Sequence, residues 1–205
     1  SYDRYHKKAD RIFRINSIIK EADRDTMRWA IAPFPLGPAV AKDYPEVEEA
    51  VRFVGSGRTM FKNGDLRLYE DKVFFADSNV FRVFTCPFIE GNPETALKAP
   101  NSIVISESSA IKFFGRNKTY LGKTLENVNG KVYNVTGVMK DVPKNSHFIF
   151  NILASRSTLP ADFGNNWGNF DYYTYVLLRP GTTAAAFDQK MKPMYDKYLA
   201  SIFAK

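Results

Sequence analysis

Two Asn-Gly pairs, Asn63-Gly64 and Asn129-Gly130, constrain the fold of this chain more than any other feature of its sequence. A type I′ turn requires a positive φ at both central residues, and Asn-Gly meets that requirement well. Each pair is flanked by short strand-forming segments, so each predicts a β-hairpin. The first leads into a strand over residues 67–76, and the second hairpin spans residues 122–139. The middle of the chain is therefore predicted to consist mainly of short strands.

Longer elements are predicted toward both ends of the chain. The proline-rich segment 32–38 fits a loop and the first turn of a helix, because a proline there removes no helical hydrogen bond. A strand over residues 47–54 follows and is predicted to close at residues 55–57. Near the other end, a strand at 172–178 precedes an amphipathic helix that should kink at Pro193.

A further helix is predicted within the middle segment, where Ser106 and Gly115 bracket residues 107–114. Serine is a favoured N-cap residue, and glycine is favoured directly after the last helical turn. Further along, Pro143 is predicted to end the second hairpin. Residues 148–153 are predicted to form a strand.

These elements predict an α+β fold with two lobes. Residues 1–57 and 146–205 would form a discontinuous α+β lobe, and residues 58–145 a β-rich lobe inserted into it. The composition fits a packed globular domain, since 44% of the residues are hydrophobic and 25% are charged. No stretch of about 18 apolar residues is present, so no segment of this sequence is predicted to span a membrane.

The net charge of +7 would suit an acidic partner, a nucleic acid or a lipid surface. The basic residues are scattered, however, and the aromatic octapeptide typical of an RNA-binding sheet is missing, so no nucleic-acid partner is predicted. The single cysteine, Cys86, excludes an internal disulfide and a multi-cysteine metal cage. Its expected role is that of a small buried side chain.

Four stretches of the sequence match the motifs of a known family in the family's order. They cover most of the chain and lie at Tyr2–Phe13, Tyr44–Arg52, Phe75–Gly115 and Gly122–His147. The third contains Gly91-Asn-Pro93 and Pro100-Asn-Ser-Ile-Val-Ile-Ser106. Together the four stretches resemble the periplasmic core domain of MacB/FtsX-type ABC transporter permeases, especially the branch with two such modules per chain.

The resemblance implies a domain between the first and second transmembrane helices of a permease, outside the cytoplasmic membrane. It implies a porter-like β-α-β lobe with an inserted β-rich, Sabre-like lobe, the division that the sequence pattern also predicts. Permeases of this family dimerise, pair with a cytoplasmic ATPase and use ATP-driven motion to act on substrates outside the membrane. Relatives continue into another strand, so we expect this chain, which stops at Lys205, to lack that strand and to expose a strand edge.

No catalytic, cofactor-binding or metal-binding residue is predicted, and ligand-binding residues are not identified. A metal site would require the two histidines, His6 and His147, to converge with carboxylates. No serine lies in a Gly-x-Ser-x-Gly motif, and no phosphate-binding glycine loop is present. We predict structural roles for Asn145 and His147, whose side chains can hydrogen-bond nearby backbone, and for Gly115 and Pro143 at the ends of their elements.

We therefore expect a domain without enzymatic activity that couples motion of the membrane helices to substrate export or extraction. The expected partners are a cognate ATPase acting through the parent permease, a second permease copy, and a periplasmic adaptor or substrate peptide or lipoprotein. The alternative is a module that binds or senses a peptide or lipoprotein without transport. A hydrolase is the least supported alternative, because no nucleophile and base are identifiable.

Overall fold

The computed structural model describes residues 6–19, 27–144, 146 and 148–200. It contains both helices and strands, and the predicted α+β class is confirmed. None of the helices described is both long enough and apolar enough to cross a membrane.

The chain divides into two compact units. The barrel unit contains the described residues up to residue 9 and the described parts of 53–161. The helix unit contains the described parts of 10–52 and 162–205. These limits differ from the lobe limits predicted at 57/58 and 145/146. They describe compactness alone, so the division into a discontinuous α+β lobe and an inserted β-rich lobe stays a prediction.

The elements follow one another in chain order along the described residues. They are β1 (Ile12–Arg14), β2 (Ser17–Ile19), β3 (Met27–Trp29), α1 (Leu36–Asp43), β4 (Val47–Asn63), β5 (Leu66–Ala76), α2 (Val80–Val83), β6 (Phe88–Gly91), β7 (Ser102–Ser106), α3 (Glu107–Phe114), β8 (Thr124–Asn127), β9 (Val132–Met139), β10 (Ile152–Ser155), β11 (Tyr173–Leu178) and α4 (Ala184–Tyr198).

The helix unit packs α1 and α4 with strand β11. β11 pairs with β1 in antiparallel fashion and also neighbours β4, whose first residues, 47–52, belong to this unit. One apolar cluster joins the helices to the strands, and its fully or largely buried members are Ala32, Leu36, Ala39, Val40, Val47, Val176, Leu178, Phe187 and Met194. Burial of these side chains stabilises the unit by about 25 cal/mol for each Å² of apolar surface removed from water.

A polar contact holds the C-terminal part of α4 against the end of α1. Oδ2 of Asp43 accepts hydrogen bonds from Nζ of Lys197 at 2.7 Å and from the hydroxyl of Tyr198 at 2.9 Å. The ring of Tyr198 also stacks on Trp167, with 4.5 Å between ring centroids. The two donors hold the pKa of Asp43 below its ordinary value of 3.8.

Six strands of the barrel unit are hydrogen-bonded in a closed ring. β4 pairs with β5, β5 with β10, β10 with β7, β7 with β9 and β9 with β8. β8 then pairs with β4 at Phe61 and Lys62, which completes the ring. Closure of a sheet satisfies the backbone groups that an edge strand would leave unpaired. The interior is apolar and includes Phe61, Val73, Ile103, Ile105, Leu125, Tyr133, Val135, Val138 and Ile152.

Helix α3 contacts β5, β7 and β9 and covers one end of the barrel. Its predicted start is confirmed, because the hydroxyl oxygen of Ser106 accepts a hydrogen bond from the backbone N–H of Ser109 at 3.1 Å. Its predicted end is also confirmed at Phe114, with Gly115 at a φ of 68°. Ala110 and Phe113 point into the apolar core of the barrel.

Both predicted hairpins are present, but the first turn lies one residue later than predicted. Asn63 pairs with Leu66, so the central residues of the turn are Gly64 and Asp65. Gly64 has a φ of 58°, as the first central residue of a type II′ turn requires. Asn63 stays in the strand, where its side-chain amide donates a hydrogen bond to the carbonyl oxygen of Phe113 at 2.9 Å.

Two strand predictions were wrong in their limits. β4 does not close at residues 55–57 but continues to Asn63, and its register with β5 shifts on both sides of Gly57. Such a bulge lets the strand absorb extra residues and resume its pairing. The strand predicted at 148–153 lies at Ile152–Ser155, because pairing with β5 and β7 on its two sides determines its position.

The bulge depends on the φ of +63° at Gly57, and this yields a stability prediction. We expect Gly57→Ala to lower the free energy of unfolding by about 1–2 kcal/mol, because an L-residue is strained in that conformation. Gly55→Ala is the matched control. Its Cβ would meet Phe74 at an ordinary 3.6 Å, so we expect little loss. Urea denaturation measures both changes, and equal losses would contradict the role assigned to Gly57.

The Asp43 contact predicts a pH-dependent contribution to stability. Because the pKa of Asp43 is lower in the folded protein, its contribution is present above the ordinary value of 3.8 and is lost as the pH falls through the folded-state pKa. Asp43→Asn should therefore destabilise the protein more at pH 7 than at pH 3 in urea titrations. Asp188→Asn removes an exposed carboxylate from α4, the helix that carries Lys197 and Tyr198, and should show no comparable difference.

Candidate functional site

The barrel has a pocket of about 270 Å³ at the end opposite α3. On β5, Glu70 is hydrogen-bonded to Ser109 of α3 and therefore lies toward the covered end of the barrel. Phe75, at the other end of the same strand, lines the pocket. On β7, α3 follows Ser106, whereas the pocket reaches Ile103 near the start of the strand. One end of the barrel is thus covered and the other is accessible.

The lining of the pocket changes from apolar at its base to polar at its rim. The base is formed by buried side chains of the barrel core, namely Phe61, Val73, Ile103, Tyr133 and Ala154, with half-buried Phe75 beside them. The rim carries Ser56, Thr59, Asn127 and Asn129, of which Ser56 and Asn129 are exposed. Hydroxyl and amide groups therefore surround an apolar depression.

The bulge in β4 places the rim residues on one side of the mouth. Ser56 lies between the two glycines of the bulge, and Thr59 follows the second register shift. The backbone oxygen of Ser56 accepts a long hydrogen bond of 3.4 Å from the Thr59 hydroxyl, so the two rim residues contact each other across the bulge. Bulges often redirect side chains near binding sites.

Asn127 and Tyr133 organise the other side of the mouth. Oδ1 of Asn127 accepts hydrogen bonds from the backbone N–H groups of Asn129 and Lys131, each at 3.0 Å, and thereby shapes the loop between β8 and β9. Burial raises the pKa of Tyr133, and a hydrogen bond from Asn127 opposes that shift in part. The phenol therefore stays protonated and neutral at physiological pH.

The covered end of the barrel contains a buried carboxylate whose oxygens are occupied by donors. Oε2 of Glu70 accepts from the hydroxyl of Ser109 at 2.9 Å and from Nζ of Lys112 at 3.2 Å. Oε1 accepts from the side-chain amide of Asn151 at 2.9 Å and from the backbone N–H of Asp71 at 3.1 Å. The network ties α3 to β5 and to the segment before β10. We interpret this network as structural, because a buried carboxylate requires hydrogen-bond donors that compensate for its lost hydration.

The histidines and carboxylates that are described form no metal-ion site, since no group of three or more His, Cys, Asp or Glu side chains converges among these residues. His6 is buried, and its Nδ1 accepts a hydrogen bond from the backbone N–H of Thr85 at 3.0 Å. Its ring meets Phe84 edge-on. His6 therefore anchors the start of the barrel unit.

Four residues were predicted to have structural roles, and two of them, Gly115 and Pro143, lie in the described part of the chain. Asn145 and His147 lie outside the described residues. The carbonyl oxygen of Pro143 accepts a hydrogen bond from the backbone N–H of Ser146 at 3.0 Å, and that of Gly115 accepts one from the Tyr120 hydroxyl at 3.0 Å. Gly115 thus contributes a backbone acceptor directly after α3, and Pro143 contributes one in the segment that follows β9.

The residues at the mouth of the pocket were not identified from the sequence. The sequence pattern places Ser56 at the end of a strand and Asn129 in a turn. The glycines around Ser56 were a usable signal, because an isolated glycine inside a strand pattern can mark a bulge. No local pattern could place Asn127 and Tyr133 opposite Ser56, since only closure of the barrel does so.

The match to a family model and the similarity to solved structures agree on the kind of domain that this chain forms. The family model for the MacB-like periplasmic core domain matches residues 1–194. The structure of a domain of a protein assigned as a permease from Porphyromonas gingivalis is similar, with a TM-score of 0.84 and 27% identity, covering 98% of this chain and 87% of that one. No curated protein sequence matches the chain.

Two further structures share the fold at lower identity. The periplasmic region of MacB from Actinobacillus actinomycetemcomitans has a TM-score of 0.63 and 15% identity, over 85% of this chain and 75% of that one. The extracellular domain of the noncanonic ABC-type transporter YknZ from Gram-positive bacteria has a TM-score of 0.60 and 16% identity, over 84% of each chain.

The only cysteine, Cys86, is predicted to react slowly. Burial raises the pKa of its thiol to about 12, and the thiolate is the reactive form. At pH 8 we expect Cys86 in the native protein to react with a disulfide reagent at least about tenfold more slowly than the exposed thiol introduced by Val128→Cys. Equal rates would contradict the raised pKa of the Cys86 thiol, and reaction in urea provides the unfolded reference.

Proposed function

We propose that this chain, which belongs to the MacB-like periplasmic core domain family, transmits ATP-driven motion of membrane helices to substrates outside the membrane. The chain is the periplasmic core domain of a MacB-like ABC transporter permease and lies outside the cytoplasmic membrane. Within that role, we assign to it the coupling of motion to export or extraction and the docking of periplasmic partners.

The closed ring of strands is the observation that carries this proposal. A part that transmits motion must keep its shape, and the ring pairs β4, β5, β10, β7, β9 and β8 around a filled apolar interior. Interiors of this kind are close-packed and deform little. The barrel unit is therefore suited to move as one body.

The chemical groups of the barrel unit also suit a mechanical role without catalysis. Both carboxylate oxygens of Glu70 accept hydrogen bonds from structural donors. The raised pKa of Cys86 keeps its thiol protonated. Neither is prepared to act as a base or a nucleophile at neutral pH. We accordingly propose that ATP hydrolysis by the associated ATPase supplies the energy, and that this domain performs no reaction of its own.

The partners in this proposal follow from the same role. They are a cytoplasmic ATPase that acts through the parent permease, a second permease copy in a homodimer, and a periplasmic adaptor or a substrate peptide or lipoprotein. The alternative function is a module that binds or senses a peptide or lipoprotein without transport. The pocket at the mouth of the barrel is the observation that favours it.

Motion can be measured with spin labels in the full-length permease bound to its ATPase. One label is placed by Val128→Cys in the barrel unit and one by Asp188→Cys in the helix unit, both at exposed positions. Cys86 is retained because its thiol reacts slowly, and cysteines outside this chain are replaced. We expect the distance distribution between the two labels, or between Val128→Cys labels of two protomers, to shift when ATP is trapped at the ATPase.

The matched control places both labels in the barrel unit, by Val128→Cys and Lys98→Cys. Their distance should stay constant in every nucleotide state, because the barrel moves as one body. The coupling proposal is wrong if ATP is hydrolysed while neither the interunit nor the interprotomer distribution changes.

A further inference from the structure

We propose that the open end of the barrel binds an extended peptide and accepts one of its uncharged, apolar side chains in the pocket between Ser56 and Asn129. This deepens the docking part of the proposed function, on which it rests. It does not depend on whether the domain also transmits motion.

The size of the pocket fits one side chain. An engineered apolar cavity of about 150 Å³ already binds benzene, and this pocket measures about 270 Å³. The five core residues at its base are at most 4% exposed. A leucine or phenylalanine side chain that enters the pocket would therefore lose most of its contact with water, which favours binding.

The electrostatic character of the pocket selects an uncharged group. None of the ten lining residues carries a formal charge at neutral pH. Tyr133, the only one of them with an ionisable phenol, has a pKa raised by burial. A carboxylate or ammonium group in the pocket would lose its hydration without gaining a counter-ion, and such a transfer is strongly unfavourable.

The rim and the neighbouring strand suit a peptide backbone. Ser56, Thr59 and Asn129 offer hydroxyl and amide groups that can pair with backbone N–H and C=O groups. Among the described residues of the barrel unit, β8 pairs with β4 only at Phe61 and Lys62, so residues 56–60 run along the mouth with β5 as their strand partner. An extended peptide can add to such an edge while a pocket selects its side chain.

The depth of the pocket favours a peptide over a lipid acyl chain. Below the base, the barrel is filled by Leu125, Val135, Ile152 and Phe113, and α3 covers the far end. A long acyl chain would need a channel that continues along the barrel axis. A single amino-acid side chain is short enough to fit between the mouth of the pocket and the packed core.

Titration of the 205-residue chain by 1H–15N NMR tests the proposal. The probes are the blocked tripeptides acetyl-Gly-X-Gly-amide, where X is Leu, Phe or Asp. We expect saturable shifts of the backbone amides of Ser56, Thr59 and Asn129 with the Leu or Phe peptide, and binding of the Asp peptide at least about tenfold weaker, since its charge would be desolvated. Absence of saturable shifts, or shifts confined to other surfaces, overturns the proposal.

Variants distinguish peptide binding in the pocket from binding elsewhere on the surface. Ala154→Leu fills the base and should abolish binding, and Asn129→Ala removes one rim amide and should weaken binding roughly two- to tenfold. Asn134→Ala is the control, because it removes an amide from an exposed position of β9 that alternates with buried Tyr133 and should leave affinity unchanged. Should Ala154→Leu fail to fold, Thr59→Val with Asn129→Ala carries the test, and unchanged affinity in both overturns the proposal.

A lipid-like probe resolves the alternative ligand. If n-octyl glucoside shifts the pocket residues and no tripeptide does, the site accepts acyl chains and the peptide proposal is wrong. The label distances in the full-length permease report on motion alone. Loss of peptide binding with intact motion would therefore reject this inference and leave the coupling proposal standing.

Discussion

The contact between β8 and β4 is the constraint on which the barrel unit depends. It involves only Phe61 paired with Asn127 and Lys62 paired with Glu126, yet it turns an open sheet into a ring. Phe61 points inward and meets Phe113 and Tyr133 edge-on, with ring centroids 6.0 and 6.2 Å apart. Lys62 points outward to Glu126 at 3.1 Å. Because a half-exposed ion pair contributes little, burial of Phe61 is the stronger of the two terms.

The two ends of the ring differ in the polar groups that they contain. At the covered end, backbone and side-chain donors surround the carboxylate of Glu70, so a charge can be buried beneath α3. At the open end, the bulge around Gly57 shifts the pairing of β4 with β5, and neutral groups such as Asn127 line the mouth. The charged network links α3 to the strands, whereas the neutral mouth surrounds an apolar base.

Local signals in the sequence predicted local structure well and nonlocal structure poorly. Ser106 and Gly115 marked both ends of α3, because capping depends on a few adjacent residues. The first hairpin was found, but its turn was displaced from Asn63 because Leu66 pairs with that residue. β10 was misplaced because its partners are distant in sequence. The pocket was missed for the same reason, since Ser56 and Asn127 meet only after the ring closes.

The position of the pocket bears on which of the two candidate functions it serves. A ligand shifts a conformational equilibrium only if it binds the two conformations with different affinity. The lining residues, from Ser56 to Ala154, all belong to the barrel unit, whose pairing leaves it little freedom to change shape. A peptide held there would be bound equally well before and after the unit moves. Such a site can hold a partner while the unit moves, and it can equally serve a module that only binds a peptide. It is poorly suited to a sensor that signals inward, so of the two forms of the alternative function the pocket supports binding and not sensing.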